Sequence, residues 1–307
     1  MRYRNLVLFV VLSVVWGSSF TAIKAGLEFF PPVLFAALRY DVAGVPMLGY
    51  AAYATDRWRP RDRSEWVLVG VGGALMIAAY HAFLFVGEQG TTSAAAAIVV
   101  SLSPVLTTGF ARAFLPNERL RTVGVLGLLV GFVGVVVLGR PDPDHLLDSR
   151  TASLFLVFLA AASFALGSVL TRRIDAALPV ETMEAWSMLV GALLMHGASV
   201  GLAESPGEIR WTGEAVLALG YLALVASALG FLVYFDLLDR LGPIEINLVS
   251  YAAPVVAAVT GVLVLAETPT VHAAAGFALV IAGFLLVKQR ALRAELDRYR
   301  RFAGGGE

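Results

Sequence analysis

Apolar residues run in long blocks along this chain, separated by short charged or Pro/Gly-rich breaks. Ten such blocks can be marked, at 5–25, 33–54, 66–87, 91–115, 121–139, 151–171, 181–203, 214–238, 242–265 and 271–288. A helix needs about 20 mostly apolar residues to cross a bilayer, so the pattern predicts an all-α membrane protein of ten transmembrane helices. The connections are short, which predicts a compact bundle.

Composition agrees with that picture. Of 307 residues, 58% are hydrophobic and 15% charged, whereas soluble domains carry about a quarter charged residues. The opening MRYRNLVLFVVLSVVWG has the look of a signal peptide, but its apolar run continues through Ala22 without a clear small-x-small cleavage site. A retained first helix is the expectation. Net charge is zero, which predicts no nucleic-acid partner, and the absence of cysteine excludes disulfides, thiolate metal sites and cysteine nucleophiles.

The basic residues test the number of crossings. With the N-terminus cytoplasmic and loops alternating, 17 of the 23 Lys and Arg residues face inward and only Lys24, Arg140, Arg150 and Arg210 face outward. The positive-inside rule is satisfied, so both termini are expected in the cytoplasm of a multi-pass protein of the cell membrane. The tail KQRALRAELDRYRRF is basic. Two readings of it stand, a grip on anionic lipid headgroups or a solvated helical extension that helps fix topology.

The chain repeats itself. SLSPVLTTGFARAFLPNER places Pro104 fourteen residues before Glu118, and SYAAPVVAAVTGVLVLAET places Pro254 thirteen before Glu267. At an offset of 149, Gly127 and Gly134 match Gly276 and Gly283; at 148, Lys24 matches Arg172 and Pro31 matches Pro179. The expected organisation is one five-helix repeat at 1–140, a second at 151–288 and a basic tail at 289–307. Five is odd, so the second repeat should be inverted relative to the first. Inverted repeats around a central cavity characterise secondary transporters.

WGSSF in the first block, the Pro31-to-LRY segment, the two Pro–Glu pairs and the Gly-rich fifth and tenth blocks together resemble EamA-type transporters of the drug/metabolite transporter superfamily. The resemblance covers about residues 5–288. It implies ten helices in two inverted five-helix repeats, and movement of small metabolites, often amino acids or related solutes and frequently as efflux.

Several residues are candidates for the substrate path. Pro104 and Pro254 fall about twelve residues into their blocks, where each removes a helix hydrogen bond and frees carbonyls. Helical spacing around them gives faces with Ala97, Ser101 and Thr108, and with Asn247, Tyr251 and Ala258. Block three offers Ile77, His81 and Leu84; its mate offers Ser227, Phe231 and Tyr234; block one offers Ser13, Trp16 and Phe20. Each has a plainer reading: serines bond their own backbone, tyrosines pack, and His81 is a neutral core histidine. Arg39 is an intramembrane charge, suited to a substrate carboxylate or to a structural ion pair. Asp41, Glu184, Asp236 and Glu245 are the carboxylates from which proton coupling would draw a carrier, with no choice among them. The glycines of blocks five and ten suit close helix packing, within the chain or in a homodimer.

The sequence shows no Walker-type phosphate loop, no metal-ligand spacing and no nucleophile elbow, so neither cofactor nor metal is expected. The expected function is alternating-access transport, active or facilitative, of a small amino-acid-like or amphipathic metabolite, in the export direction. Multidrug or toxic-cation efflux is the nearest rival, and a membrane-embedded enzyme or sensor is the rival of another kind.

Overall fold

The computed structural model describes residues 2–115, 122–139, 149–241, 246 and 248–304, and side chains from residue 3 through Gln289 apart from Thr122. Glu118, Glu245, Asn247 and the basic side chains of the tail beyond Gln289 lie outside the described residues.

Every regular element among the described residues is helical. The first part of the chain forms α1 (Arg2–Gly26), α2 (Pro32–Ala54), α3 (Arg63–Val71), α4 (Tyr80–Glu88), α5 (Ser93–Val100), α6 (Ser103–Phe114) and α7 (Thr122–Gly139). The second forms α8 (Ser149–Arg173), α9 (Val180–Gly201), α10 (Gly213–Gly220), α11 (Gly230–Leu241), α12 (Val249–Leu265) and α13 (Val271–Gly304). α3 and α4 are one rod, joined by a π-helical turn at Gly72–Ala79, and α10 and α11 are another, joined by a π-helical turn at Tyr221–Leu229. Among the described residues six helical rods are long and apolar enough to cross a membrane, and Val123–Gly139 and Val249–Leu265 are shorter apolar helices. The chain is a multi-pass integral membrane protein.

Local chemistry sets the helix starts. Asp62, Thr92 and Thr212 accept from the backbone N–H three residues on, at Glu65, Ala95 and Ala215, which satisfies donors that a first turn leaves unpaired. Pro31 and Pro179 occupy the same position before α2 and α9, with extended ψ of 136° and 142°. Two caps come from far away in sequence. Glu204 accepts from Val33 N (3.0 Å) and Leu34 N (2.8 Å), and Glu267 accepts from Ser93 N (2.9 Å). Ala203 and Ala266, the residues before these glutamates, have φ of 58° and 53°, so each chain turns sharply to aim its carboxylate back at a helix start.

Glycine sets the closest helix approach. A Cβ on Gly127 would lie 2.6 Å from the Gly283 carbonyl, and one on Gly276 would lie 2.6 Å from the Gly134 carbonyl. α7 and α13 therefore run antiparallel, backbone against backbone, and these four glycines are used within one chain. α2 and α9 are also antiparallel, with Gly44 against Leu189 and Thr55 against Thr182.

A candidate substrate cavity

A cavity of about 280 Å³ lies between α1, α2, the two π-turned rods, α9 and the start of α12. It reaches one end of the helices at Val180, Leu238 and Ile246. Toward the other end its wall stops at Ile23, Leu84 and Ala97, about one helical turn short of Gly26, Glu88 and Ser93.

Aromatic rings form its broadest surface. Trp16 stacks on Tyr234 with centroids 5.4 Å apart and tilts against Phe231 at 5.7 Å. The Trp16 indole N–H donates to the Ala226 carbonyl at 3.1 Å, inside the second π turn, where the register change disturbs the helical ladder. The first π turn is tied in the same way, by Ser163 Oγ on the Leu75 carbonyl at 2.8 Å. Gly230 makes Trp16 possible, since a Cβ there would sit 2.7 Å from its Nε1.

Arg39 is the positive group of the cavity. It is 6% exposed, and its Nε donates to Ser227 Oγ at 2.9 Å. Among the described residues nothing else accepts from its guanidinium, so a fixed, desolvated cation presents its remaining donors to the space. Beside it, the Ile77 carbonyl faces His81 Nδ1 at 2.9 Å, and Tyr40 Oη lies 2.8 Å from Nε2. A carbonyl only accepts, so Nδ1 carries the ring proton, and a neutral ring then accepts the tyrosine hydroxyl at Nε2. Glu184, on α9 four residues from Val180, also lines the cavity and makes no hydrogen bond or ion pair with the described residues.

The cavity thus brings together Trp16, Arg39, His81, Glu184 and Tyr234, together with Phe20, Ile77, Leu84, Ala97 and Phe231. Other candidates lie elsewhere. Ser101 and Pro104 do not line it, because the fourth apolar run is broken at Ser101–Leu102 and α6 restarts in a new register. Ser101 donates to the Ile98 carbonyl and Ser103 to the Val100 carbonyl, the one Pro104 leaves without an N–H partner; Ser103 is the one at the cavity. Tyr251 packs on Phe284 with centroids 4.4 Å apart, its buried hydroxyl without a partner among the described residues, while Ser250 and Ala253 face the cavity. Pro254 is buried inside an unbroken α12. Asp41 pairs with His196 (2.7 Å) on a half-exposed face, and Asp236 pairs with Arg240 (2.9 Å) and Arg4 (3.4 Å) at a helix end. Helical spacing alone passed over Tyr40, Tyr80, Ser103 and Ser250; the π turn before Tyr80 and the break before Ser103 leave little trace in apolar periodicity.

The model of the EamA-like transporter family matches residues 4–140 and again 151–289. The chain belongs to the EamA-like transporter family. Relatives are similar over most of their length. One, the "probable amino-acid metabolite efflux pump" of Salmonella typhimurium, is 31% identical across 90% of this chain and 92% of its own. The "uncharacterized inner membrane transporter YedA" of Escherichia coli K12 is 30% identical across 85% and 84%. A crystal structure matches with a TM-score of 0.66 at 25% identity, covering 96% of this chain and 100% of its own. This EamA chain is a transporter, and its fold and its relatives agree on that level of function.

Proposed function

We propose that this EamA transporter is a secondary carrier that exports a small amphipathic carboxylate, an amino acid or a close derivative, by alternating access. Arg39 carries the proposal. A guanidinium held at one nitrogen and free at the others, in a water-poor pocket, matches the planar fork of a carboxylate. The rings of Trp16, Phe231 and Tyr234 would take the apolar part of the solute. The relative named for amino-acid metabolite efflux supports this substrate class.

Alternating access needs two halves that can exchange roles. We read ten crossings in two inverted five-helix repeats, at 1–140 and 151–288, with both termini cytoplasmic. The contact Gly127·Gly283, shifted by the 149-residue offset, becomes Gly276·Gly134, which is the other contact of the same seam. A two-fold axis lying across the helices produces that exchange; an axis along them would pair Gly127 with Gly276. The matched π turns and matched prolines before α2 and α9 support the same axis.

The test is counterflow in proteoliposomes against amino acids, their amides and esters, organic cations and sugars. Carboxylate-bearing solutes should exchange, Arg39→Ala should reduce uptake at least about tenfold, the effect of losing one charged hydrogen bond, and the amides and esters should fail. Exchange unaffected by Arg39→Ala sinks the reading. Glu184 supports a second one, efflux of organic cations, because its carboxylate faces the same aromatic wall. Cation exchange lost in Glu184→Gln and kept in Arg39→Ala would select it.

A further inference from the structure

We propose that Glu88 is a proton-binding site that controls the sealed end of the cavity, which shuts when the carboxyl holds a proton and opens to water when it does not. The proposal deepens the carrier reading above and rests on it. Glu88 ends α4, is 0% exposed, and has both carboxyl oxygens buried without a hydrogen-bond partner among the described residues. Lys24 is beside it, yet Lys24 Nζ donates to the backbone carbonyls of Glu88 (2.8 Å) and Gln89 (2.9 Å). The donors of Ser93, N–H and Oγ–H, are already given to Glu267.

The surroundings make the proton the economical solution. The charges within reach of Glu88 are Lys24 from α1, Glu267 from the link after α12, and Arg39 from α2. Tyr40 is the other ionisable group on α2 here, and Tyr80 and His81 are those on α4. α5 contributes none, and α8 packs Ser153 against Gly87 and Gly90 with Arg150 exposed. At that end the carboxyl and the ammonium acting on Glu88 are Glu267 and Lys24. An ionised carboxyl without water or donor is costly, and a neutral one is far less so. With one proton on Glu88, Lys24 and Glu267 balance. The step is a simple one: Oε of the carboxylate takes one proton from water as the end closes and returns it as the end opens. Shifted by 149, Glu88 falls on Leu237, which is buried, so the opposite end has no such group at this position.

Hydrogen exchange of the segment 84–96 in lipid nanodiscs tests this. Wild type and Glu88→Gln are compared at the same pD, so that intrinsic base catalysis cancels in their ratio. At pD about 4 the two should exchange alike, and by pD about 8.5 wild type should exchange at least about tenfold faster, because the opened carboxyl gives up its proton at the ordinary value of about 4.3. Glu88→Asp should keep the pD response, and Lys24→Gln should raise exchange at both values. A ratio that stays flat overturns the proposal. If Glu88→Gln does not assemble, infrared spectra replace it: wild type should show a protonated-carboxyl band at low pD that moves in Glu88→Asp, and absence of that band overturns the proposal. Neither measurement uses a substrate. A flat response with intact counterflow removes the proton site alone, and a retained response with no counterflow removes the carrier alone.

Discussion

The two ends of the cavity are finished differently. At one end Lys24 holds the Glu88 and Gln89 carbonyls, Glu267 caps α5, Glu204 caps α2, and Phe30 lies flat on Phe35 with centroids 4.5 Å apart. The cavity stops beneath these contacts. At the other end Val180, Leu238 and Ile246 border it, and the ties run beside the opening: Arg57 with buried Glu65 and the Ala177 carbonyl, Thr182 with the Arg57 carbonyl, and Trp186 with the Trp58 carbonyl. The glycine seam of α7 and α13 borders neither end, since none of its residues lines the cavity. Closure is thus a property of a few polar contacts at the rim; the helices themselves are common to both ends.

The largest expected effect attacks the unsealed end. Arg57→Ala removes the cation paired with the Glu65 carboxyl, whose side chain is 1% exposed and would keep only the Arg61 N–H among the described residues; it should cost about 3 kcal/mol of stability, read as lowered resistance to unfolding in detergent, with increased exchange confined to residues 55–66. Gly283→Ala acts on the α7–α13 seam, away from both rims: its Cβ would meet the Gly127 carbonyl at 2.6 Å and Gly131 N at 2.7 Å, both backbone. It should cost about 1–3 kcal/mol and loosen both ends alike; a loss limited to one end would contradict a seam that borders neither. Glu267→Ala removes one of the two caps on α5, leaving that of Thr92, and should cost about 1–2 kcal/mol, with exchange rising at 88–96 and unchanged at 55–66. Asp41→Asn, on a half-exposed face away from the cavity, should change stability by less than about 0.5 kcal/mol and leave counterflow intact. A strong loss of flux there would move the working site to the outer face of α2.

Much of the architecture was legible in the chain. Apolar block length predicted where helices stand, and Pro31, Pro179 and the spaced glycines pointed to two similar halves, because each answers to a local constraint: a fixed φ, or a backbone that must be approached. Trp16, Arg39, His81 and Tyr234 were legible as candidates too, since a large polar side chain deep in an apolar block must find a polar neighbour, whereas Glu184, near the start of its block, could be read only as a coupling candidate. Ser101 and Tyr251 were not, because helical spacing presumes an unbroken helix and a known rotation about its axis. The break at Ser101–Leu102 resets the first, and packing of Tyr251 on Phe284 sets the second. Glu88 was missed for a related reason: at the end of an apolar block an acid resembles a solvated loop residue, until the next helices bury it.

By itself the sequence determined that this chain is a membrane-embedded helical protein of two similar parts, because hydrophobic length and backbone-specific residues act over one helix at a time. Only the tertiary structure decided which polar groups share a cavity, which of its ends is closed, and that Glu88 is sealed without a partner among the described residues. Those outcomes depend on helix rotation and on contacts between residues about 60 to about 230 positions apart, which local patterning does not encode because side-chain direction is set by the packing of one helix on another.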